Sequence, residues 1–277
     1  MRGMKRSILL LMLLPAAIVL SSVNAFSAAV VCGYAEDLLA GVNAPGSEVS
    51  ETALGDAAAD AARYISGADA AIIPGGDIRA NLRGGDVTET MLEAVFPEGK
   101  TLVLLHVTEA ELRELLEYGV SHTVYSEPEI LDVERSSWAY FPQVSGLSFS
   151  YDISAPVGGR VSGLEAGFDV DGTLALVTTQ ELLTAAGNTA AGAEVCSERD
   201  ALARYFEEQS PIRVPDGGRI RLLGVASPGI TAYIPRVLII LLAAFLVIIP
   251  LWMKGSLSIR AGTADGVPKG RRDIDED

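Results

Sequence analysis

Apolar residues along the chain follow helical spacing in some segments and strand spacing in others. In 52–66 they recur every three to four residues, which predicts a helix with one apolar face, whereas 69–74 is almost wholly apolar and predicts a buried strand. The same criteria predict further strands at 28–34, 101–107, 145–152, 159–166, 173–179 and 218–225, and further helices at 89–95, 111–122 and 198–209. The expected fold class is therefore α+β, a mixed sheet with packed helices.

Three hydroxyl residues mark predicted helix starts. Thr88 and Ser197 each precede a helical segment, and Thr108 with Glu111 forms a capping box. Residues 123–140 show no periodicity and contain Pro128, so they are expected to form a long surface excursion.

Two longer apolar stretches lie near the ends of the chain. Residues 8–20 follow basic residues and precede a small-residue cleavage pattern, so 1–25 are interpreted as a signal peptide, with an uncleaved anchor as the alternative. Residues 237–253 carry no charge and predict a transmembrane helix within 230–253, with a buried core helix as the alternative. Because basic residues follow it, 254–277 are expected in the cytoplasm and the ectodomain, 26–229, outside.

The expected ectodomain is strongly acidic. Residues 26–229 contain 31 acidic and 12 basic residues, a net charge of −19. Such a field repels phosphate backbones and anionic lipid, which argues against nucleic acid as a partner. The membrane is the expected partner because of the apolar run at 237–253. A small anionic ligand would need a local cationic pocket.

Few residues are suited to metal or thiol chemistry. Cys32 and Cys196 could pair in an oxidising compartment, and the sequence leaves that disulfide open. His106 and His122 lie on a predicted strand and at a helix end, where structural roles are ordinary. No metal site, cofactor or catalytic residue is predicted, because two isolated histidines cannot hold the two cations of a dimetal hydrolase.

The order of short motifs over 28–225 resembles the C-terminal domain of the 5'-nucleotidase family, which includes UDP-sugar hydrolases. The motifs are LGD at 54–56, GAD at 67–69, GGDIR at 75–79, PEGK at 97–100 and FPQVSGL at 141–147. In that family this domain holds the nucleotide base between two aromatic rings, while the metals sit in a separate metallophosphatase domain. The DxH and GNHE motifs of that second domain are not found in this sequence.

The resemblance implies a ligand site formed by Gly75, Gly76, Arg79 and Phe141. Arg79 would contact ligand oxygens, with pairing to Asp77 or Asp86 as the alternative, and Phe141 would stack on a base, with a core position as the alternative.

Several positions depart from the family pattern. Asp77 replaces a glycine of GGGIR, and PFGN has become PEGK. The segment TQELLTAAGNTA (179–190) lacks the second ring and the acid, with Glu181 or Leu182 where the ring belongs. These changes argue against tight nucleotide binding and favour a neutral or cationic ligand or a protein partner.

Three hypotheses follow. The chain is a membrane-anchored, degenerate recognition or interaction module without its own hydrolytic activity. Alternatively, it supplies substrate contacts, to a nucleoside- or nucleotide-like ligand, for a metallophosphatase subunit on another polypeptide. A purely structural cell-surface role is the third.

Overall fold

The computed structural model describes residues 30–43, 45–127, 130–215 and 217–224. The predicted signal peptide (1–25), transmembrane helix (230–253) and tail (254–277) lie outside these residues. Among the residues that are described, no helix has the length and apolar character needed to cross a membrane.

Strands and helices are interspersed along the described chain. The strands are β1 Val31–Ala35, β2 Ala70–Pro74, β3 Gly85–Thr88, β4 Thr101–Thr108, β5 Tyr125–Glu127, β6 Ile130–Leu131, β7 Pro142–Ser145, β8 Leu147–Asp152, β9 Val161–Ala166, β10 Thr173–Thr179, β11 Ala193–Ser197 and β12 Ile220–Leu223. The helices are α1 Ala53–Ser66, α2 Glu89–Val95, α3 Glu109–Val120, α4 Gln180–Ala185 and α5 Glu198–Gln209, with a 3₁₀ turn at Gly75–Asp77.

The largest sheet is mixed, as predicted. Its five strands lie in the order β11-β4-β10-β2-β7, with β10 and β2 parallel and the other neighbours antiparallel. A second sheet has the order β12-β8-β9, and two two-stranded sheets join β1 to β3 and β5 to β6. The 3₁₀ turn follows β2 directly, so the central sheet positions the GGDIR segment.

Two apolar clusters form the core. One joins the alanine-rich face of α1 to α2, α5, β1 and one face of the central sheet, and the other joins α3 to the opposite face and to β8 and β9. Alternate side chains of β2 enter the two clusters: Ala71 and Ile73 the first, and Ala70 and Ile72 the second. This explains why β2 is apolar at every position rather than at every second one.

The predicted helix starts are confirmed. The side chains of Thr88 and Ser197 accept hydrogen bonds from the backbone N–H of Met91 and Asp200. Thr108 and Glu111 form both bonds of the capping box. Each helix thus begins where a hydroxyl satisfies an unpaired N–H group.

The strand predicted at 145–152 begins two residues later, at Leu147, because Ser145 ends another strand. Gly146, with a φ of 72°, separates β7, in the five-stranded sheet, from β8, in the three-stranded sheet. A Cβ there would collide with the carbonyl of Asp69. Glycine therefore permits both the turn and the close approach that let the chain change sheets.

The predicted excursion at 123–140 contains more structure than expected. It includes the β5–β6 hairpin, and its last residues return to the 3₁₀ turn, where Ala139 accepts a hydrogen bond from the N–H of Gly76 at 2.9 Å. This segment forms one wall of the cleft described next.

Candidate functional site

A cleft of about 520 Å³ lies beside the GGDIR segment. Its walls come from the loop before α1, from the 3₁₀ turn and the residues after it, and from the end of the 123–140 segment. The lining is Gly41, Val42, Gly46, Ser47, Glu48, Val49, Gly75, Ile78, Arg79, Val133, Glu134 and Ser137. Valine and isoleucine side chains supply an apolar surface, and two acids and one arginine supply the charges.

The side chain of Gln143 fixes the first wall. It is fully buried, its amide donates to the carbonyls of Ser47 and Ser50 at 2.9 and 2.7 Å, and its oxygen accepts from the N–H of Thr52 at 3.1 Å. The Ser47 hydroxyl adds a bond of 2.8 Å to the carbonyl of Gly41. A loop without regular structure is therefore held firmly, and it carries Glu48.

Arg79 reaches the cleft, but its guanidinium is paired within the protein. Its Nη1 lies 3.2 Å from Oε1 of Glu48, and its side chain is 53% exposed. The predicted alternative partners, Asp77 and Asp86, are not the ones used. The other carboxylate oxygen of Glu48, Oε2, accepts a hydrogen bond from the hydroxyl of Ser137.

Gly75 and Gly76 are needed for contacts within the protein. A Cβ on Gly75 would collide with the carbonyl of Ser47, and one on Gly76 would collide with Ala139. The N–H of Gly75 donates to the carbonyl of Phe141 at 2.7 Å. Gly75 lines the cleft, yet the close approach that both glycines permit is to protein backbone rather than to a ligand.

The ring of Phe141 is a core residue. It is 1% exposed and meets the ring of Tyr151 edge-on, with centroids 6.2 Å apart. A ring that is covered in this way offers no open face for stacking, so the predicted stacking role of Phe141 has no support here, and only its backbone adjoins the site.

Other aromatic rings lie nearer to the surface beside the cleft. The rings of His122 and Trp138 are stacked, with centroids 3.6 Å apart and planes 14° apart, and those of Tyr118 and Tyr140 surround Trp138. The backbone N–H of Trp138 donates to the carbonyl of Glu48 at 3.0 Å. This aromatic group thereby fastens the excursion to the Glu48 loop.

A buried charged cluster lies on the other side of Arg79. Nζ of Lys100 lies 2.5 Å from Oδ1 of Asp77, and Glu198 packs beside them, 3% exposed. Burial and the charge of Asp77 raise the pKa of Glu198 well above its usual value. Burial also raises the pKa of Asp77, although Lys100 opposes this. Arg79 and Glu98 line the small hollow over the cluster, so Glu98 lies in the same hollow as Arg79.

The two cysteines are free thiols and lie near opposite ends of α5. Cys196 lies two residues before the first residue of the helix, and Gly33, next to Cys32, approaches Phe206 and Ser210 at its last turn. The nine helical residues 198–206 alone span about 14 Å, whereas a disulfide needs Cα atoms within about 7 Å. The disulfide left open by the sequence is therefore not formed in this structure.

Comparison with protein families matches residues 31–188 to the 5'-nucleotidase, C-terminal domain. This match takes in more than half of the chain. The chain belongs to this family. No curated protein has a significantly similar sequence.

Three solved structures illustrate the likeness. A 5'-nucleotidase precursor from Thermus thermophilus is 25% identical with a TM-score of 0.59, covering 78% of this chain and 43% of that protein. A putative 5'-nucleotidase from Staphylococcus aureus is 18% identical with a TM-score of 0.58, covering 70% of this chain and 41% of that protein. The Haemophilus influenzae NAD nucleotidase is 13% identical with a TM-score of 0.55, covering 69% of this chain and 38% of that protein. The chain thus spans less than half the length of each of these proteins.

Within this 5'-nucleotidase C-terminal domain, the sequence indicated part of the site and missed part. GGDIR and PEGK do meet, through Asp77 and Lys100, and the opposite charges of these two substitutions were a usable signal for their pairing. Glu48 and Ser137 were missed. Both lie in segments without periodicity, and nothing in the sequence places them next to Arg79.

Proposed function

We propose that this chain is a membrane-anchored, extracytoplasmic 5'-nucleotidase C-terminal-like domain that acts as a non-catalytic recognition module, and that the cleft beside Arg79 binds an uncharged ligand of nucleoside size. The observation that carries the proposal is the 3.2 Å ion pair between Arg79 and Glu48 inside a 520 Å³ cleft. A cleft of this size suits a small ligand. Because Glu48 already neutralises Arg79, a phosphate group on the ligand would find no unpaired cation there to bind.

Calorimetry of the full chain in detergent tests the binding role. Uridine and adenosine are expected to give saturable heat, whereas AMP and UDP-glucose are expected to bind more weakly. Val133→Trp, which fills the cleft, should abolish the heat, and Val170→Trp, at a fully exposed position outside the lining, should leave it unchanged. If no nucleoside gives saturable heat, the cleft is not a nucleoside site.

The non-catalytic part is tested by phosphate release. The sequence contains only two histidines, and a dimetal hydrolase needs several histidine and carboxylate ligands. The chain with Mn²⁺, Mg²⁺ or Zn²⁺ is expected to release no phosphate from AMP. Metal-dependent phosphate release would contradict the proposal if the activity co-purifies with the chain and is lost when residues of the chain are substituted.

Membrane anchoring rests on the apolar run at 237–253 and the basic residues after it. Protease added to intact cells or spheroplasts should remove the ectodomain and leave the tail. Protection of the ectodomain would reverse the proposed orientation.

The second candidate function is substrate binding for a phosphohydrolase on another polypeptide. It is favoured by the coverage of the solved relatives, 43% of the Thermus protein. The test is co-purification of the chain with a metallophosphatase from a neighbouring reading frame. A nucleotidase rate that rises when the two are mixed would support it over the non-catalytic proposal.

A further inference from the structure

The carboxylate of Glu48 occupies the position beside Arg79 that a bound anion would take. One oxygen faces the guanidinium at 3.2 Å, and the other accepts the hydroxyl of Ser137. A charged donor and a hydroxyl converging on two oxygens of one anion are what protein sites offer to carboxylates and phosphates. Here the protein supplies the anion itself.

The backbone of Glu48 is held on both sides by hydrogen bonds, and these bonds help to fix the position of its carboxylate. Gln143 binds the carbonyls of Ser47 and Ser50, and Trp138 donates to the carbonyl of Glu48. The Glu48 side chain is 34% exposed, so it lies at the cleft surface rather than in the core. An anion entering the cleft would have to displace a carboxylate whose loop is already ordered.

No other acid in the cleft plays this part. Asp77, which is not part of the cleft lining, is engaged by Lys100, and its side chain is 9% exposed. Glu134 also lines the cleft but forms no ion pair within the described part of the chain, and its backbone carbonyl rather than its carboxylate contacts Ser137. Glu134 therefore has the same charge and the same cleft as Glu48 without the contact to Arg79.

We infer that Glu48 is a resident anion that closes a latent oxyanion site at Arg79 and so determines the specificity of the cleft. With Glu48 in place, phosphate and phosphate monoesters bind weakly, and uncharged ligands are favoured. Removing the carboxylate frees the guanidinium and the Ser137 hydroxyl for an external anion. This inference rests on the proposed recognition role of the same cleft. It adds which ligands the cleft disfavours and names Glu48 as the residue responsible.

The experiment compares four full-length proteins in detergent at low salt: wild type, Glu48→Ala, Glu134→Ala and the double variant Glu48→Ala/Arg79→Ala. Inorganic phosphate and AMP are titrated into each by calorimetry. Glu48→Ala is expected to bind both probes at least tenfold more tightly than wild type. Glu134→Ala should stay within about twofold of wild type, because a general change in charge has only a small effect near an open surface. The double variant should lose the gain.

Three results would overturn the inference. They are equal gains in Glu48→Ala and Glu134→Ala, a gain that persists without Arg79, and no gain in any Glu48 variant. Thermal melting checks that each variant folds. If Glu48→Ala does not fold, Glu48→Gln replaces it, because it keeps the volume and the contact with Ser137 while removing the charge; a gain of at least threefold is then required.

The same titrations separate this inference from the proposed function. Nucleoside binding by wild type without any anion gain in the Glu48 variants would overturn only the role of Glu48. An anion gain without nucleoside binding would overturn only the recognition role.

Discussion

Nζ of Lys100 lies 2.5 Å from Oδ1 of Asp77, joining the start of β4 to the 3₁₀ turn after β2. Glu198, at the first turn of α5, packs against the same pair, and its N–H donates to the carbonyl of Lys100 at 2.9 Å. One ammonium therefore faces two buried carboxyl groups. The GGDIR segment is therefore held by this charged cluster as well as by Ile78, which is buried in the first apolar cluster.

Replacing this cation should be strongly destabilising. Lys100→Met is expected to lower the free energy of unfolding by about 3 kcal/mol at pH 7, because it leaves Asp77 and Glu198 buried without a positive partner. The loss should be smaller at pH 5 than at pH 7, because burial raises the pKa of both carboxyl groups and the lower pH favours their neutral forms. Urea denaturation at the two pH values measures it.

Two variants control this experiment. Arg135→Met removes an exposed arginine that lies 3.8 Å from Asp132 and should change stability by less than about 1 kcal/mol. Lys100→Met/Asp77→Asn should recover part of the loss, because the double variant no longer buries that charge. A double variant no more stable than Lys100→Met would show that the loss comes from packing of the lysine stem.

Asp56 predicts a distinct dependence of stability on pH. It is 1% exposed, and burial raises its pKa to about 8, although Arg219 opposes the shift. An acid whose pKa is higher in the folded state than in the unfolded state stabilises the fold fully at pH values below its unfolded-state pKa, about 4. This stabilisation is lost as the pH rises through its folded-state pKa, about 8. Wild type should therefore lose stability across this range.

Asp56→Asn removes the ionisation while retaining a similar shape. Relative to wild type, its free energy of unfolding should rise by about 4 kcal/mol between pH 5 and pH 8, because Asp56 is ionised in the unfolded chain over these three pH units and stays protonated in the folded protein until about pH 8. Asp60→Asn is the matched control. Asp60 forms two bonds of 2.8 and 2.9 Å with Arg219, so its loss should be destabilising at both pH values. Parallel pH curves for wild type and Asp56→Asn would show that Asp56 is charged in the folded protein.

The sequence predicted regular elements better than it predicted the cleft, and the reason is local. Thr88, Thr108 and Ser197 each act on backbone groups within three residues, so the signal and its effect lie in the same segment. Gln143 acts on a loop more than 90 residues away, and Glu48 meets Arg79 across 31 residues. Contacts of this kind depend on tertiary packing, which periodicity does not report. The family resemblance located Arg79 in the cleft, yet it could not supply the partner that neutralises it.

Phe141→Ala should act on stability rather than on binding alone. The ring is buried against Tyr151, and removing a core phenylalanine typically costs about 3–5 kcal/mol. Thermal melting should show a large decrease, while Phe141→Leu should show a smaller one because more of the volume is kept. Val157→Ala, at a residue that is 62% exposed, should leave the melting temperature nearly unchanged. A ring that stacks on a ligand from the surface would instead give an unchanged melting temperature and weaker binding.

The positions of the thiols predict the redox state of the chain. Because Cys32 lies near the last turn of α5 and Cys196 lies just before its first turn, the two thiols are too far apart to bond in this structure. Protein purified without reductant, denatured, and treated with iodoacetamide should gain two carbamidomethyl groups by mass spectrometry, one for each cysteine in the sequence.

In the native state modification should be slower at Cys32, which is 5% exposed and whose pKa is raised first by burial and then by Glu89 and Glu207. Cys32→Ser serves as the control, since it should leave the melting temperature of oxidised and reduced samples identical. Monomeric protein that gains no label until a reductant is added would show that the two thiols are bonded and that α5 is displaced in solution.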